Sequence, residues 1–203
     1  MNRTIRRAML FAALPLTALT IAACSSSDDA GRPGMDHGSA TSPAPAGADH
    51  STADVEFAQM MIAHHQQAVA MSTLAETRAA DAEITSLAAQ IKTAQQPEVD
   101  TMAGWLTGWG QPTAQPGGHN MPGMGAMPGL MSDAEVQQLT AAKGVDFDRM
   151  FARMMIAHHD GAIQMAGEVL AKTTNPQVKT LAQNVVATQT AEVAQLQKVL
   201  DRL

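Results

Sequence analysis

Two pairs of adjacent histidines, His64–His65 and His158–His159, are the residues of this 203-residue chain with the clearest chemical potential. Each pair ends the same segment, Met-Met-Ile-Ala-His-His, so that Met61 or Met155 lies about one helical turn before the histidines. Imidazole binds copper, zinc and iron alike, whereas thioethers select copper(I). These segments therefore indicate a metal site made of imidazole and thioether groups.

The histidine segments belong to an internal repeat with an offset of 94 residues. Residues 54–71 align without gaps on residues 148–165 and are identical at eleven of eighteen positions. The same offset continues from 81–106 to 175–200, where the apolar positions recur together with one glutamine and one glutamate. The repeated unit is therefore a pair of helices.

Helical periodicity places both histidines of each unit on the apolar face of its first helix. In the second helix of the first unit, Gln95 and Glu98 fall within the apolar stripe, and Gln189 and Glu192 do so in the second unit. Polar groups in such a stripe need a partner or a function. Folding each hairpin at its short turn brings these polar groups level with the histidines. Pro97, which has no counterpart in the second unit, predicts an interruption and a kink in its helix.

The connections predict an all-α fold. Short turns at 77–81 and 172–175, with Asp81 and Asn175 as N-caps, make each unit an antiparallel hairpin. Two hairpins with one apolar face each are covered best as a four-helix bundle. The linker at 108–145, with a short helix expected near 133–142, is long enough to run the length of the bundle. It permits an up-down-down-up order in which an approximate twofold axis brings the two histidine pairs together.

We predict one bundle domain at 54–203, composed of repeat one at 54–107, the linker at 108–145 and repeat two at 146–203. The predicted metal ligands within it are His64, His65, His158, His159, Met61 and Met155, with Glu98 and Glu192 either ligating or orienting an imidazole. The alternative is a buried polar network that only fixes the helix register. Duplication of the whole pattern favours metal.

The linker carries a separate set of soft ligands. The segment 118–131 places His119, Met121, Met124, Met127 and Met131 on a chain rich in glycine and proline. Such a chain cannot bury these side chains as a regular element, and closely spaced thioethers can surround one soft ion. We expect either a peripheral copper-capture site here or a crossover in which the methionines have no role.

The first 53 residues predict export and membrane anchoring. Residues 1–23 combine three arginines with a short apolar run, which is typical of a secretory signal. The run ends Leu-Thr-Ile-Ala-Ala before Cys24, and this resembles a bacterial lipoprotein signal in which the cysteine is lipidated. Residues 24–53 are rich in Ser, Asp, Gly, Ala and Pro, so we expect a disordered tether.

Charge and cysteine content exclude other classes. A formal net charge of -6 gives a nucleic-acid backbone no reason to bind. The single cysteine excludes an internal disulfide and a cysteine-based zinc cluster.

The doubled Met-Ile-Ala-His-His pattern, with Asp and Phe upstream and Ala and Met downstream, resembles the CopM-like family. That family was long catalogued as a domain of unknown function and is placed in the ferritin-like superfamily. The resemblance covers about 54–203. It implies a ferritin-like bundle and a periplasmic or cell-surface copper-binding protein linked to copper tolerance.

We therefore expect a lipid-anchored copper-binding protein outside the cytoplasm, which captures or buffers the ion and is not an enzyme. Copper is expected ahead of iron and zinc, and a copper-handling partner protein stays unidentified. Two other functions remain open: a ferritin-like metal oxidase and a surface interaction module without metal. The first alternative is weakened because the chain contains no Glu-x-x-His, the spacing on which di-iron bundles rely.

Overall fold

The computed structural model describes residues 49–113 and 127–203, and every helix in this part of the chain is an α-helix. The helices are α1 (Thr52–Arg78), α2 (Ala82–Gly108), α3 (Asp133–Ala141), α4 (Gly144–Leu170) and α5 (Pro176–Arg202). The predicted signal, Cys24 and most of the predicted tether lie outside the described residues. Within the described residues, none of the helices combines the length and hydrophobicity needed to cross a bilayer.

Local sequence explains where the helices begin. Ser51 and Asp54 form a capping box at the start of α1, with each side chain bonded to the other residue's backbone N–H. The side chains of Asp81 and Asn175 cap α2 and α5 as predicted, and Pro176 occupies the first turn of α5. The helix predicted near 133–142 is α3, which begins with its own capping box.

The tether and the second helix differ in part from the sequence prediction. The predicted tether ended at residue 53, whereas α1 already begins at Thr52, and His50 stacks on Trp109 with ring centroids 4.8 Å apart. α2 continues through Pro97 to Gly108, so proline does not interrupt the helix. The kink at Pro97 stays a prediction.

Polar contacts at the ends of the bundle establish the helix order. The buried carboxylate of Asp148, near the start of α4, accepts hydrogen bonds from the backbone N–H groups of Ala80 and Asp81 in the α1–α2 turn. At the opposite end, the amide of Asn175 donates to the carbonyl oxygen of Asp49. α4 therefore runs antiparallel to α1, and the four long helices form the predicted up-down-down-up bundle.

The hydrophobic core is divided into two clusters. The Phe57 cluster takes residues from the first half of α1, the second halves of α2 and α4, and the first half of α5. The Phe147 cluster takes residues from the complementary halves of these helices and from α3. The histidine pairs lie between the two clusters in the helix sequences. The bundle thus has two apolar ends and a polar middle.

The end of the linker, residues 127–131, is called here the strap. It contacts both histidine-bearing helices. From α1, Gln67 donates its side-chain N–H to the carbonyl oxygen of Met131 and accepts the N–H of Met131, both at 2.8 Å. This paired hydrogen bond fixes the strap to α1.

Gly161 makes room for the strap on α4. A Cβ atom added to Gly161 would lie 2.1 Å from the carbonyl oxygen of Pro128 and 2.7 Å from the Cα of Gly129. Gly129 itself has a φ of +74°, a conformation that glycine adopts at low cost. Gly161 corresponds in the repeat to Gln67. The two repeats therefore use different residues to seat one strap.

This contact makes glycine 161 a packing requirement. We expect Gly161→Ala to lower the free energy of unfolding by roughly 1–3 kcal/mol, because the methyl group would overlap the backbone of the strap. Gly167→Ala is the matched control on the same helix, since an added Cβ there meets nothing within 4 Å. The control should be neutral or stabilising by up to about 1 kcal/mol. Urea unfolding followed by circular dichroism measures both, and equal stabilities of the two variants would contradict the packing role.

Candidate metal centre

The polar middle of the bundle is a layer of eight side chains, called here the polar layer. Its members are His64, His65, Gln95, Glu98, His158, His159, Gln189 and Glu192. All four imidazoles have a relative exposure of 0%. The two glutamines are buried as well, and the two glutamates retain some exposure to solvent.

The two histidine pairs meet across the approximate twofold axis, as the duplication predicted. The ring centroids of His64 and His158 lie 3.6 Å apart, with an angle of 38° between the ring planes. Within the second pair, the centroids of His158 and His159 are 6.3 Å apart. The antiparallel packing of α1 on α4 produces this meeting, because equivalent positions of the two repeats come to the same height only near the twofold axis, where the histidines lie.

A carboxylate holds the second imidazole of each pair. Nε2 of His65 donates to Oε2 of Glu98 at 2.7 Å, and Nε2 of His159 donates to Oε2 of Glu192 at the same distance. These contacts confirm that the glutamates of α2 and α5 lie beside the histidines. Carboxylates bonded to imidazoles in this way fix the ring orientation and raise the basicity of the second nitrogen.

Five ring nitrogens of the polar layer have no hydrogen-bond partner among the described residues, and they are called here the open nitrogens. They are Nδ1 of His64, Nδ1 of His65, both nitrogens of His158 and Nδ1 of His159. Because Nε2 of His64, His65 and His159 each carries a proton toward an oxygen acceptor, the lone pair of the neutral ring lies on Nδ1. A lone pair is what a metal ion binds, and a neutral imidazole has one, so the five open nitrogens offer one potential ligand atom on each of the four rings.

Burial keeps the central imidazoles neutral. The pKa of His64 is lowered from 6.5 to about 3, chiefly by burial and then by the neighbouring His65, against the opposing effect of the hydrogen bond from the ring to the Pro128 carbonyl. The pKa of His158 also lies well below 6.5, chiefly because of burial and then because of His64. Neutral imidazole is the form that ligates metals. At neutral pH, both rings are therefore in the state that binding requires.

The polar layer holds ligand atoms but not a finished coordination sphere. In residues 49–113 and 127–203, no three side chains of His, Cys, Asp or Glu converge on one point that could hold an ion. Met61 is fully buried in the Phe57 cluster and Met155 in the Phe147 cluster. Each methionine lies about one helical turn from its histidine pair. The donor set fits a soft ion, and binding would require the rings to reorient.

The remaining predicted ligands are placed only in part. His119, Met121 and Met124 lie outside the described residues. Met127 begins the strap and packs, partly buried, against the Phe57 cluster. Met131 packs in the same way against the Phe147 cluster. The grouping of linker thioethers around one ion therefore stays a prediction.

One polar contact of the site was missed from the sequence. Nε2 of His64 lies 3.1 Å from the carbonyl oxygen of Pro128 in the strap. A backbone carbonyl carries no signature in a residue pattern, so no motif could have shown it. Gln67 and Gly161 are equivalent positions of the repeat but differ in residue type. This difference could have indicated that α1 and α4 make different contacts on this side of the bundle.

The lowered pKa values predict acid sensitivity. An unfolded chain takes up protons at these histidines below a pH of about 6.5, whereas the folded chain does not. Stability is therefore complete above that pH and falls as the pH drops toward about 3, by about 1–2 kcal/mol per pH unit for each imidazole. Urea unfolding at about pH 7 and about pH 5 measures the slope. The double variant His64→Asn/His158→Asn should show a shallower slope, and equal slopes would contradict the assignment.

Comparison with known proteins identifies the family. The pattern of DUF305, a domain of unknown function, matches residues 54–200. No curated protein matches the chain. Among solved structures, a DUF305 protein from Streptomyces coelicolor is 34% identical, with a TM-score of 0.68 over 74% of this chain and 93% of its own. A DUF305 fragment from Deinococcus radiodurans is also 34% identical, with a TM-score of 0.68 over 75% of this chain and 98% of its own.

A third related structure is CopM in the Cu(II)-bound form. It is 31% identical and has a TM-score of 0.64, over 73% of this chain and 96% of its own. CopM has also been solved in Cu(I)-bound and Ag-bound forms. The resemblance inferred from the histidine segments is thereby confirmed, and the chain belongs to the CopM-like DUF305 family.

Proposed function

We propose that this protein captures or buffers copper outside the cytoplasm, with the polar layer as its binding site. The observation that carries the proposal is the set of five open nitrogens on four fully buried imidazoles. A polar network that only fixed the register would be expected to satisfy its buried atoms, because each buried group without a partner costs about 1–3 kcal/mol. A bound ion would use the lone pairs that the network leaves open.

The ligand types and the family relationship to CopM both support copper as the bound ion. Neutral imidazoles suit copper, and the thioethers of Met61 and Met155 next to the polar layer favour copper(I) over zinc or iron. CopM, a family member, has been solved with copper in both oxidation states and with silver, an ion as soft as copper(I). This protein would share the ligand class of that relative.

The proposed role is storage rather than catalysis. Glu98 and Glu192 are each bonded to an imidazole, so they would orient ligands instead of bridging two ions. A ferritin-like oxidase would need carboxylates free to bind the metal ions. We therefore propose no chemical step, and copper is the cargo.

The expected cellular setting follows from the N-terminal sequence. We propose that Cys24 is lipidated after export, so that the bundle is anchored to the outer side of a cell membrane. At least two acyl chains give stable anchoring.

Copper titration of a soluble form beginning at Ser25 tests the proposal. We expect uptake of copper(I) from a chromophoric chelator, and a loss of affinity of more than about 100-fold in His64→Ala/His158→Ala. The milder Glu98→Gln/Glu192→Gln should lose about 10- to 100-fold, because the imidazoles would keep their lone pairs but lose their orientation. His50→Ala is the matched control, since this exposed histidine stacks on Trp109 outside the polar layer.

The same titration with zinc and iron(II), followed by oxygen uptake, separates the alternatives. Oxygen consumption with iron(II) would favour a metal oxidase. Stoichiometric binding of none of these ions by the folded protein would leave a surface interaction module. Unchanged copper affinity in the histidine variant would place the site elsewhere.

The linker methionines are a second, weaker copper site in our proposal. Replacing Met121, Met124 and Met127 by leucine should remove a low-affinity class of copper(I) binding and leave the polar-layer site intact. Leucine keeps the hydrophobic volume but has no sulfur, so stability should change by less than about 1.5 kcal/mol. Isothermal titration calorimetry of the triple variant measures this, and an unchanged binding isotherm would assign these methionines no role.

A further inference from the structure

We propose that the crevice between α2 and α5 is the port through which the metal ion reaches the buried imidazoles. This inference rests on the proposed function and adds a route to it. The crevice is lined by Ala94, Gln95, Glu98, Val185, Thr188, Gln189 and Glu192. Apart from Thr188, its polar residues are therefore the α2 and α5 members of the polar layer.

Open amide atoms in the crevice point to a ligand. Gln95 and Gln189 are each only 3% exposed. Within the described part of the chain, neither amide atom of Gln95 nor Oε1 of Gln189 has a hydrogen-bond partner. Two equivalent glutamines thus present amide oxygens to the same narrow space. A cation passing through would find oxygen donors on both walls.

The glutamates connect the crevice to the imidazoles. The side chain of Glu98 is 24% exposed and that of Glu192 is 12% exposed, whereas the histidines to which they are bonded have an exposure of 0%. Each carboxylate therefore faces the crevice and contacts a buried ring at once. An ion held by a carboxylate oxygen needs only a short step to an open nitrogen.

The two ends of the bundle and its α1–α4 side are covered. The Phe57 cluster and the Phe147 cluster fill the two ends of the bundle with apolar side chains. Between α1 and α4 lies the strap, whose backbone contacts Gly161 and whose Pro128 carbonyl is bonded to His64. A charged ion would have to cross apolar side chains or displace the strap on these sides. The α2–α5 side instead offers polar groups along the way.

The size of the crevice implies a gated route. Its interior volume is only about 10 Å³, close to the minimum that holds one water molecule. A metal ion with its full hydration shell does not fit. The carboxylates and amides must therefore replace water as the ion enters, and the side chains must move aside.

Blocking the mouth of the crevice tests this route. Ala94 and Thr188 are equivalent positions in the repeat, and both are exposed at the crevice. In full-length processed protein, we expect Ala94→Trp/Thr188→Trp to slow the association of copper(I) at least tenfold in stopped-flow measurements. Release to a chelator should slow by a similar factor, because a blocked path hinders both directions. The equilibrium affinity should change by less than about threefold.

The matched control is Ala89→Trp/Ala187→Trp, which adds the same bulk at exposed positions of the same helices outside the crevice lining. It should exchange copper at the wild-type rate. Unchanged rates in the blocked variant, or equal slowing in the control, would overturn the port.

A second variant tests the amides separately. Gln95→Leu/Gln189→Leu removes the open amide atoms, so it should unfold at a higher urea concentration than the wild type. The same variant should take up copper more slowly, because the transit donors are lost. Faster or equal uptake would overturn the role of the glutamines.

A readout without metal separates failure of the port from failure of the proposed function. Hydrogen–deuterium exchange at the C2 carbons of His65 and His159, followed by mass spectrometry, requires only water to enter the crevice and should slow in the blocked variant. The exchange of exposed His50 should not change. If wild-type protein bound no copper, the proposed function would fail while this accessibility test still decided the route. Equal exchange in both proteins would overturn the port.

Discussion

The burial of imidazoles without enough partners is the constraint on which the rest of this structure depends. A small protein is stable by only about 5–15 kcal/mol, and each buried polar atom left open costs about 1–3 kcal/mol. The polar layer contains several such atoms. The layer is stable because the apolar clusters on both sides of it hold the four helices in register. In addition, three of the four rings each have one nitrogen bonded to an oxygen, from a glutamate in two cases and from a backbone carbonyl in the third. The bundle therefore gives up some stability to keep these lone pairs buried.

That arrangement suits retention of a reactive ion. A copper ion inside the layer would be separated from solvent by apolar side chains and by the strap, which limits its access to oxygen and reductants. The neutral imidazoles of His64 and His158 need no counter-charge, whereas the two carboxylates lie between the rings and the surface. Negative charge is therefore lowest at the rings and increases toward the crevice. In the proposed function, capture at the surface and retention in the centre would be tasks of different residues in one layer.

Much of the architecture was predictable because it depends on local rules. Turn length, capping residues and helical period fixed both hairpins, and counting residues from the turn placed Glu98 beside His65. The 94-residue offset then implied the meeting of His64 with His158. Contacts that depend on irregular backbone could not be derived. Asp54 and Asp148 are equivalent in the repeat, but one caps its own helix and the other holds the neighbouring turn. The carbonyl on His64 likewise depends on how the linker packs, and pattern analysis does not describe this.

The seat of the strap has a consequence for the history of the chain. Gln67 and Gly161 descend from one position of the duplicated unit, and each now performs a task that the other residue could not. A second hairpin copied anew from the first would put glutamine where the Pro128 carbonyl lies, at a Cβ distance that no backbone tolerates. The halves can no longer be exchanged. Two identical hairpins associated as separate chains could form the four-helix core, but they could not distinguish one imidazole from its twin.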